Sequence, residues 1–157
     1  MQGFWNRLKA RWYRKGLNYS NFADAALPVI LPLTENAKTF LDVGAGCGSL
    51  SIPLARAGKK VTALDPAVAM IEILKEDIER EGLGKRITTI LSEWDGAQVK
   101  SHDVVLCANV PELLKKREVL SSRGGFLKEA DAKAKKAVFI IVNADPKGDK
   151  FYYKELY

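Results

Sequence analysis

The chain has 157 residues, enough for one ordinary domain, and its 47% hydrophobic and 28% charged content is that of a globular protein rather than a disordered or fibrous one. Its formal charge of +6, from 25 basic and 19 acidic residues, suits an anionic partner such as RNA or a membrane surface, and equally a solvated surface. No apolar run is long enough to span a bilayer, no apolar h-region marks a secretory signal, and two cysteines, Cys47 and Cys107, make neither a disulfide framework nor a metal site, so a cytoplasmic protein without a metal is expected.

Residues 1–34 are predicted to form a helical segment ahead of a main domain at 35–157. No acid precedes Asp24, whereas Arg7, Lys9, Arg11, Arg14 and Lys15 interleave with Phe4, Trp5, Leu8, Trp12 and Tyr13. Phe4, Leu8 and Trp12 follow helical spacing, which predicts a basic amphipathic helix. Three roles stay open for it: a helix laid on a sheet with a solvated basic face, a lid or anionic-substrate patch over a site, and a helix lying on a membrane. A polar break at Asn18–Ala23 precedes a second helical run over Ala23–Leu33, expected to be interrupted around Pro28 and Pro32.

The apolar run Phe40-Leu41-Asp42-Val43 then turns into Gly44, Gly46 and Gly48, and Ser49–Ala57 reads as a helix stopped at Gly58. Strand, glycine turn and helix form the front of a nucleotide-binding βαβ unit. Glycines let a ligand approach the backbone, and the helix start offers free N–H groups. The dinucleotide fingerprint G-x-G-x-x-G is not met: the third glycine comes one residue early and position 49 is Ser. Asp42, two places before the first glycine, suits a ligand with an ammonium group better than a pyrophosphate. D-x-G-x-G-x-G resembles motif I of the class I S-adenosylmethionine-dependent methyltransferases. The resemblance implies a loop, with Asp42, Gly44, Ala45, Gly46 and Gly48, around the methionine and ribose parts of S-adenosyl-L-methionine. It also implies an aromatic segment before the motif that closes over the cofactor, for which Tyr19 and Phe22 are the candidates, unless both simply pack under the helix.

Lys60–Asp65 is predicted as the second strand, and Pro66 as the first residue of a helix with an apolar face at Ala67, Met70, Ile71, Leu74 and Ile78, closed by Gly82. Asp65 lies about twenty residues beyond Gly44, the interval at which an acid meets a ribose in such units. It can also cap the helix, and the two roles are compatible. Arg86–Leu91 is a third strand. The resemblance gives Glu93 the adenine amino group and Trp94 the adenine ring; a tryptophan there can also serve simply as core or surface packing. His102–Ala108 is a fourth strand whose histidine lies at the far edge. Asn109, Val110, Pro111 and Glu112 come next, at its carboxyl end, where parallel sheets bind ligands. Asn109-Val-Pro-Glu112 departs from the N/D-P-P-Y/F/W motif of amino-methyltransferases acting on bases or glutamine. Leu113–Leu120 and Phe126–Lys136 are predicted helices, Ala137–Asn143 a buried fifth strand, and Phe151–Tyr157 an aromatic tail.

The likeness covers residues 19–143 and implies an α/β, three-layer αβα sandwich with a mostly parallel, doubly wound sheet in the order 3-2-1-4-5. Residues 144–157 are too few for the family's strands six and seven. A piece of a longer protein, a truncated core or a partner-completed core are the readings, and an open edge at Val138–Val142 is expected to self-associate or take the tail as a substitute strand. The implied activity is methyl transfer from S-adenosyl-L-methionine, leaving S-adenosyl-L-homocysteine, to an acceptor contacted by Glu112 and Tyr19; a small molecule is favoured and RNA stays open. The alternative is a methyltransferase-like module that binds the cofactor or a partner without catalysis. A nicotinamide dehydrogenase is disfavoured by Ser49 and Asp42.

Overall fold

Five parallel strands put all their carboxyl ends on one edge of a single sheet. The computed structural model describes residues 4–114 and 125–142. Within them run α1 (Arg7–Leu17), α2 (Phe22–Leu33), β1 (Thr39–Val43), α3 (Ser51–Arg56), β2 (Lys60–Asp65), α4 (Val68–Arg80), β3 (Ile87–Leu91), β4 (His102–Ala108), α5 (Gly125–Lys133) and β5 (Ala134–Ile141). The sheet order is β3-β2-β1-β4-β5, every pairing parallel. The order reverses beside β1, so a crevice opens between the ends of β1 and β4.

Strand alternation sorts the core into two layers. Phe40, Val61, Ala63, Val104 and Leu106 face one side, with Leu54 of α3 and Ile71 and Leu74 of α4 packed on them. Leu41, Val43, Leu64, Val105 and Cys107 face the other, covered by Phe126 and Ala130 of α5 and by Trp94. This is the expected αβα sandwich with the expected strand order. Among the described residues there is no sixth or seventh strand. Residues 115–124 and 143–157, which hold most of the helix expected at Leu113–Leu120 and all of the aromatic tail, lie outside the described residues.

Several boundaries differ from the reading of the sequence. α2 runs unbroken through Pro28 and Pro32. Each proline removes one backbone donor, but Ile30 is buried in the main core and Phe22, Ala26, Leu27 and Leu31 pack against it, which holds the helix together. Pro66 is not the first residue of α4, which starts at Val68. The Ala67 N–H donates to Asp65 Oδ1 at 2.8 Å, a local turn that delays the helix by two residues. β5 begins at Ala134, not Ala137, because pairing with β4 reaches back to His102↔Ala134 through an irregular step before Val104. Tertiary pairing overrides the helix propensity of the Ala/Lys run there.

Candidate functional site

The site is built at the crevice from three strand ends. β1 runs into a turn in which Gly44, Gly46 and Gly48 all take positive φ (73°, 56° and 89°). The turn is fastened from below: the N–H groups of Gly44 and Ala45 both donate to Leu64 O, at 2.8 and 3.0 Å. A Cβ on Gly44 would lie 2.3 Å from Val110 Cγ2, and one on Gly48 2.5 Å from Leu74 Cδ1, so these two glycines are needed for packing as well as angle. A Cβ on Gly46 would meet nothing within 4 Å. The apex of the loop is therefore open while its two shoulders are pressed into the fold.

Asp65 ends β2 directly beside that apex. Its Oδ2 accepts from Gly46 N–H at 2.9 Å and its Oδ1 from Ala67 N–H. Asp65 thus fastens both the glycine loop and the turn ahead of α4, and is not itself the cap of that helix, whose N-cap position is Ala67. Burial raises the Asp65 carboxyl above its ordinary range, and the two backbone donors oppose the rise. The Ser92 N–H donates to Asp65 O at 3.2 Å, which brings the residues after β3 to the same place. Glu93 is exposed there.

Trp94, to which the resemblance gives the adenine ring, has its own side-chain partners in the structure. It is only 8% exposed, its Nε1–H donates to Glu129 Oε2 at 2.5 Å, and its ring meets Phe126 edge-on at 5.2 Å. Its aromatic surface is used in the layer between β4 and α5. Asn109 follows β4 with φ 54°, the only non-glycine residue at positive φ among those described. A left-handed turn at a non-glycine residue carries strain that the surroundings must hold; here the Asn109 N–H donates to Ile141 O at 2.9 Å. Val110 then packs on Gly44. Pro66 is half-buried between Asp65 and α4, and Glu112 is half-buried in the 3-10 turn Pro111–Leu114. Tyr19 stands 86% exposed in the α1–α2 connection, while Phe22 packs against the main core.

Asp42 does not open onto the crevice. Its parity in β1 is that of Phe40, so it faces α3, where the first residue, Ser51, donates its hydroxyl to Asp42 Oδ2 at 2.6 Å. Burial pushes the Asp42 carboxyl up to about 7, with the Ser51 bond opposing and the charge of Asp65 adding. Such a carboxyl holds its proton more tightly folded than unfolded. Its contribution to stability is full below about pH 4 and is lost as pH rises towards 7. Asp65, raised as well, acts in the same direction. The melting temperature is therefore expected to fall between pH 5 and pH 8. Asp42→Asn should flatten much of that fall and exceed the parent at pH 8 by about 1–3 kcal/mol. Parallel, level profiles for both proteins would show that Asp42 is already charged.

Ser51 is a residue that the sequence reading missed as a site element; an Asp at an inward strand position followed by a Ser at the next helix start is the signal that could have found it. Helix α1 is another placement of note. Ala10 is fully buried in one cluster with Cys47 of the glycine loop, Ala67 just ahead of α4, and Met70 of α4. The helix therefore lies on the rim of the loop. The two cysteines are buried in separate clusters, and burial pushes both thiols up to about 12.

A family model described as a methyltransferase domain matches residues 40–136. The ubiquinone biosynthesis O-methyltransferase of Methylocella silvestris is 43% identical over 74 residues, which are 46% of this chain and 28% of that protein. The release factor glutamine methyltransferase of Rhodopirellula baltica is 33% identical over 76 residues, 46% of this chain and 26% of that protein. Among solved structures, the S-adenosylmethionine-dependent methyltransferase SibL in its apo form superposes with a TM-score of 0.58 at 25% identity, over 79% of this chain and 36% of that one. The matched stretch thus spans 28% and 26% of the length of these two curated relatives.

Proposed function

The chain belongs to the class I S-adenosylmethionine-dependent methyltransferases, and from that premise we propose that it transfers the methyl group of S-adenosyl-L-methionine to a small-molecule acceptor by in-line displacement. The observation that carries this reading is the contact between Asp65 and the Gly46 N–H at the open apex of the glycine loop. An acid and a bare backbone meet there at the switch point of a parallel sheet, the place and chemistry that a ribose with two hydroxyls requires.

Asp65 would hold the ribose, and Gly44, Ala45, Gly46 and Gly48 would border the methionine part. Glu93 is free to accept from the adenine amino group, while Trp94 would bring main chain and ring edge rather than an open face. Pro66, Asn109 and Val110 complete the border. Asp42, bound to Ser51, acts on the loop from behind. The cofactor supplies an activated methyl on a sulfonium, so this chain's task is alignment and exclusion of water. A general base is needed only where the acceptor must lose a proton; Glu112, beside the end of β4, is the candidate contact, and Tyr19 is the more remote one.

What the relatives' names state, O-methyl transfer in ubiquinone biosynthesis for one and methylation of a release factor glutamine for the other, belongs to those proteins. The departure of Asn109-Val-Pro-Glu112 from N/D-P-P-Y/F/W speaks for a small molecule over a base or a glutamine amide, with RNA as the rival. Residues 1–34 are read as the lid segment over a domain at 35–157, with α2 anchored in the main core by Ile30 and α1 laid on the rim of the glycine loop through Ala10. No described helix is long and apolar enough to cross a membrane, and two unpaired thiols support a cytoplasmic setting.

S-adenosyl-L-homocysteine is expected to raise the melting temperature and NAD to leave it unchanged, because a ligand of the native state stabilises it by mass action. Equal shifts, or a shift by NAD alone, would overturn the cofactor reading. A shift without methyl transfer to any acceptor tried would favour the non-catalytic module. The outer edge of β5 carries no strand among the described residues, and such an edge recruits one. Self-association at micromolar concentration, lost in Ile140→Pro, is the expected sedimentation result; a monomer unaffected by the substitution would remove that role.

A further inference from the structure

A surface helix ordinarily turns its apolar stripe to the core and its charges to water. Helix α1 has a narrow apolar inner side and a second apolar strip turned outward. Inward, Ala10 is fully buried and Leu17 half-buried against Ala69, Met70 and Ile73 of α4. Charges add to this contact: Arg7 donates to Glu76 at 2.9 Å and lies 3.9 Å from Glu72, and Arg14 bonds Asp77. Leu8 and Trp12, one turn apart, point outward at 66% and 63% exposure, and Phe4, ahead of the helix, is 52% exposed. Neither Leu8 nor Trp12 belongs to a core cluster.

The cations around this apolar ridge sit over its rings. Lys9 Nζ lies 4.6 Å from the centroid of Phe4 and Lys15 Nζ 5.4 Å from that of Trp12, and Arg11 is exposed. No acid occurs before Asp24. Leucine and tryptophan on one face with lysines reaching past them is the make-up of a helix lying in a bilayer interface. Nucleic acid fits less well, because rings that stack on bases need open faces and here both carry an ammonium group. A second copy fits less well again, since it would set cations against cations.

We propose that the outward face of α1 seats this chain on an anionic lipid bilayer, with Leu8 and Trp12 inserted among the acyl chains and Lys9, Arg11 and Lys15 at the level of the headgroups. The ion pairs to Glu72, Glu76 and Asp77 fix the helix to the domain, so the contact carries the glycine-loop rim towards the membrane surface.

The test is flotation of the 157-residue chain with vesicles of phosphatidylcholine alone and of phosphatidylcholine with phosphatidylglycerol. Binding to the anionic vesicles, with a blue shift of tryptophan emission, is expected. Leu8→Ser/Trp12→Ser should weaken it on the order of tenfold or more, and Lys9→Glu/Lys15→Glu by roughly fivefold per lost charge. Both variants should melt with the parent and respond alike to S-adenosyl-L-homocysteine, which separates this inference from the cofactor reading. No flotation at millimolar lipid, equal binding to neutral vesicles, or binding indifferent to both double substitutions would overturn it. So would a dimer that Leu8→Ser/Trp12→Ser dissolves, or single-stranded RNA bound through this face in the absence of vesicle binding.

Discussion

Gly48→Ala is expected to lower stability by about 2–4 kcal/mol, from a left-handed backbone at a non-glycine residue and an overpacked core. The position has φ 89°, and the added methyl would lie 2.5 Å from Leu74 Cδ1 and 3.1 Å from Ile52 Cγ1. Leu74 is fully buried in the main core and Ile52 nearly so, which leaves neither free to swing aside. Set against a total stability of about 5–15 kcal/mol for a domain, that is a large share, and the melting temperature should fall by roughly 5–15 °C. Gly46→Ala is the matched comparison. Its φ is also positive, at 56°, but its methyl enters open space, so only the backbone cost applies, about 1–2 kcal/mol. Equal melting temperatures for the two variants would show that the pressed shoulder at Gly48 has room the structure does not display.

Asp65→Ala is expected to weaken S-adenosyl-L-homocysteine binding at least about tenfold while the fold survives, each charge-assisted hydrogen bond being worth about 1.5–3 kcal/mol in favourable cases. Calorimetry on the variant checks it. The side chain has two duties in the structure, since its oxygens accept from Gly46 and Ala67 N–H groups. Asp65→Asn, which retains one acceptor oxygen for the Ala67 N–H, should recover part of the melting temperature and little of the affinity. If Asp65→Ala binds as tightly as the parent, the residue only fastens the glycine loop and the turn ahead of α4.

Much of this arrangement is legible in the sequence because it rests on local rules. Strands β2 and β4 begin and end where β-branched and apolar runs meet charges or a turn, at Lys60–Asp65 and His102–Ala108. The three alternating glycines announce positive φ, and all three have it. What is not legible depends on partners distant in the chain. Trp94 fits a ligand-facing ring by position, but Glu129 and Phe126, on α5 more than thirty residues later, draw it into the core. The hydrogen bond from Ser51 to Asp42 joins residues nine apart and is not announced by the glycine motif. Two prolines predict a broken α2, and only the burial of Ile30 explains why it stays whole. The early start of β5 likewise comes from its pairing with β4 and not from its own residues.

The strand order has a consequence for how the chain acquires its shape. β1, β2 and β3 are neighbours in sequence as in space, linked by α3 and α4, and Thr39 pairs with Lys60. On its other side β1 waits for a strand much further on: the Thr39 N–H and Asp103 carboxylate that meet there are 64 residues apart. Closing a long loop costs chain entropy before any contact returns it, so the near half has the kinetic advantage. The β1–α3–β2–α4–β3 half, which carries the glycine loop and Asp65, is expected to gain amide protection first in pulsed hydrogen exchange during refolding. β4 and β5 would follow as a second unit laid against a template already formed. Simultaneous protection of β1 and β4 would instead mark a single nucleus spanning the crevice. In the first case the ligand-holding half is also the part that organises the rest during synthesis.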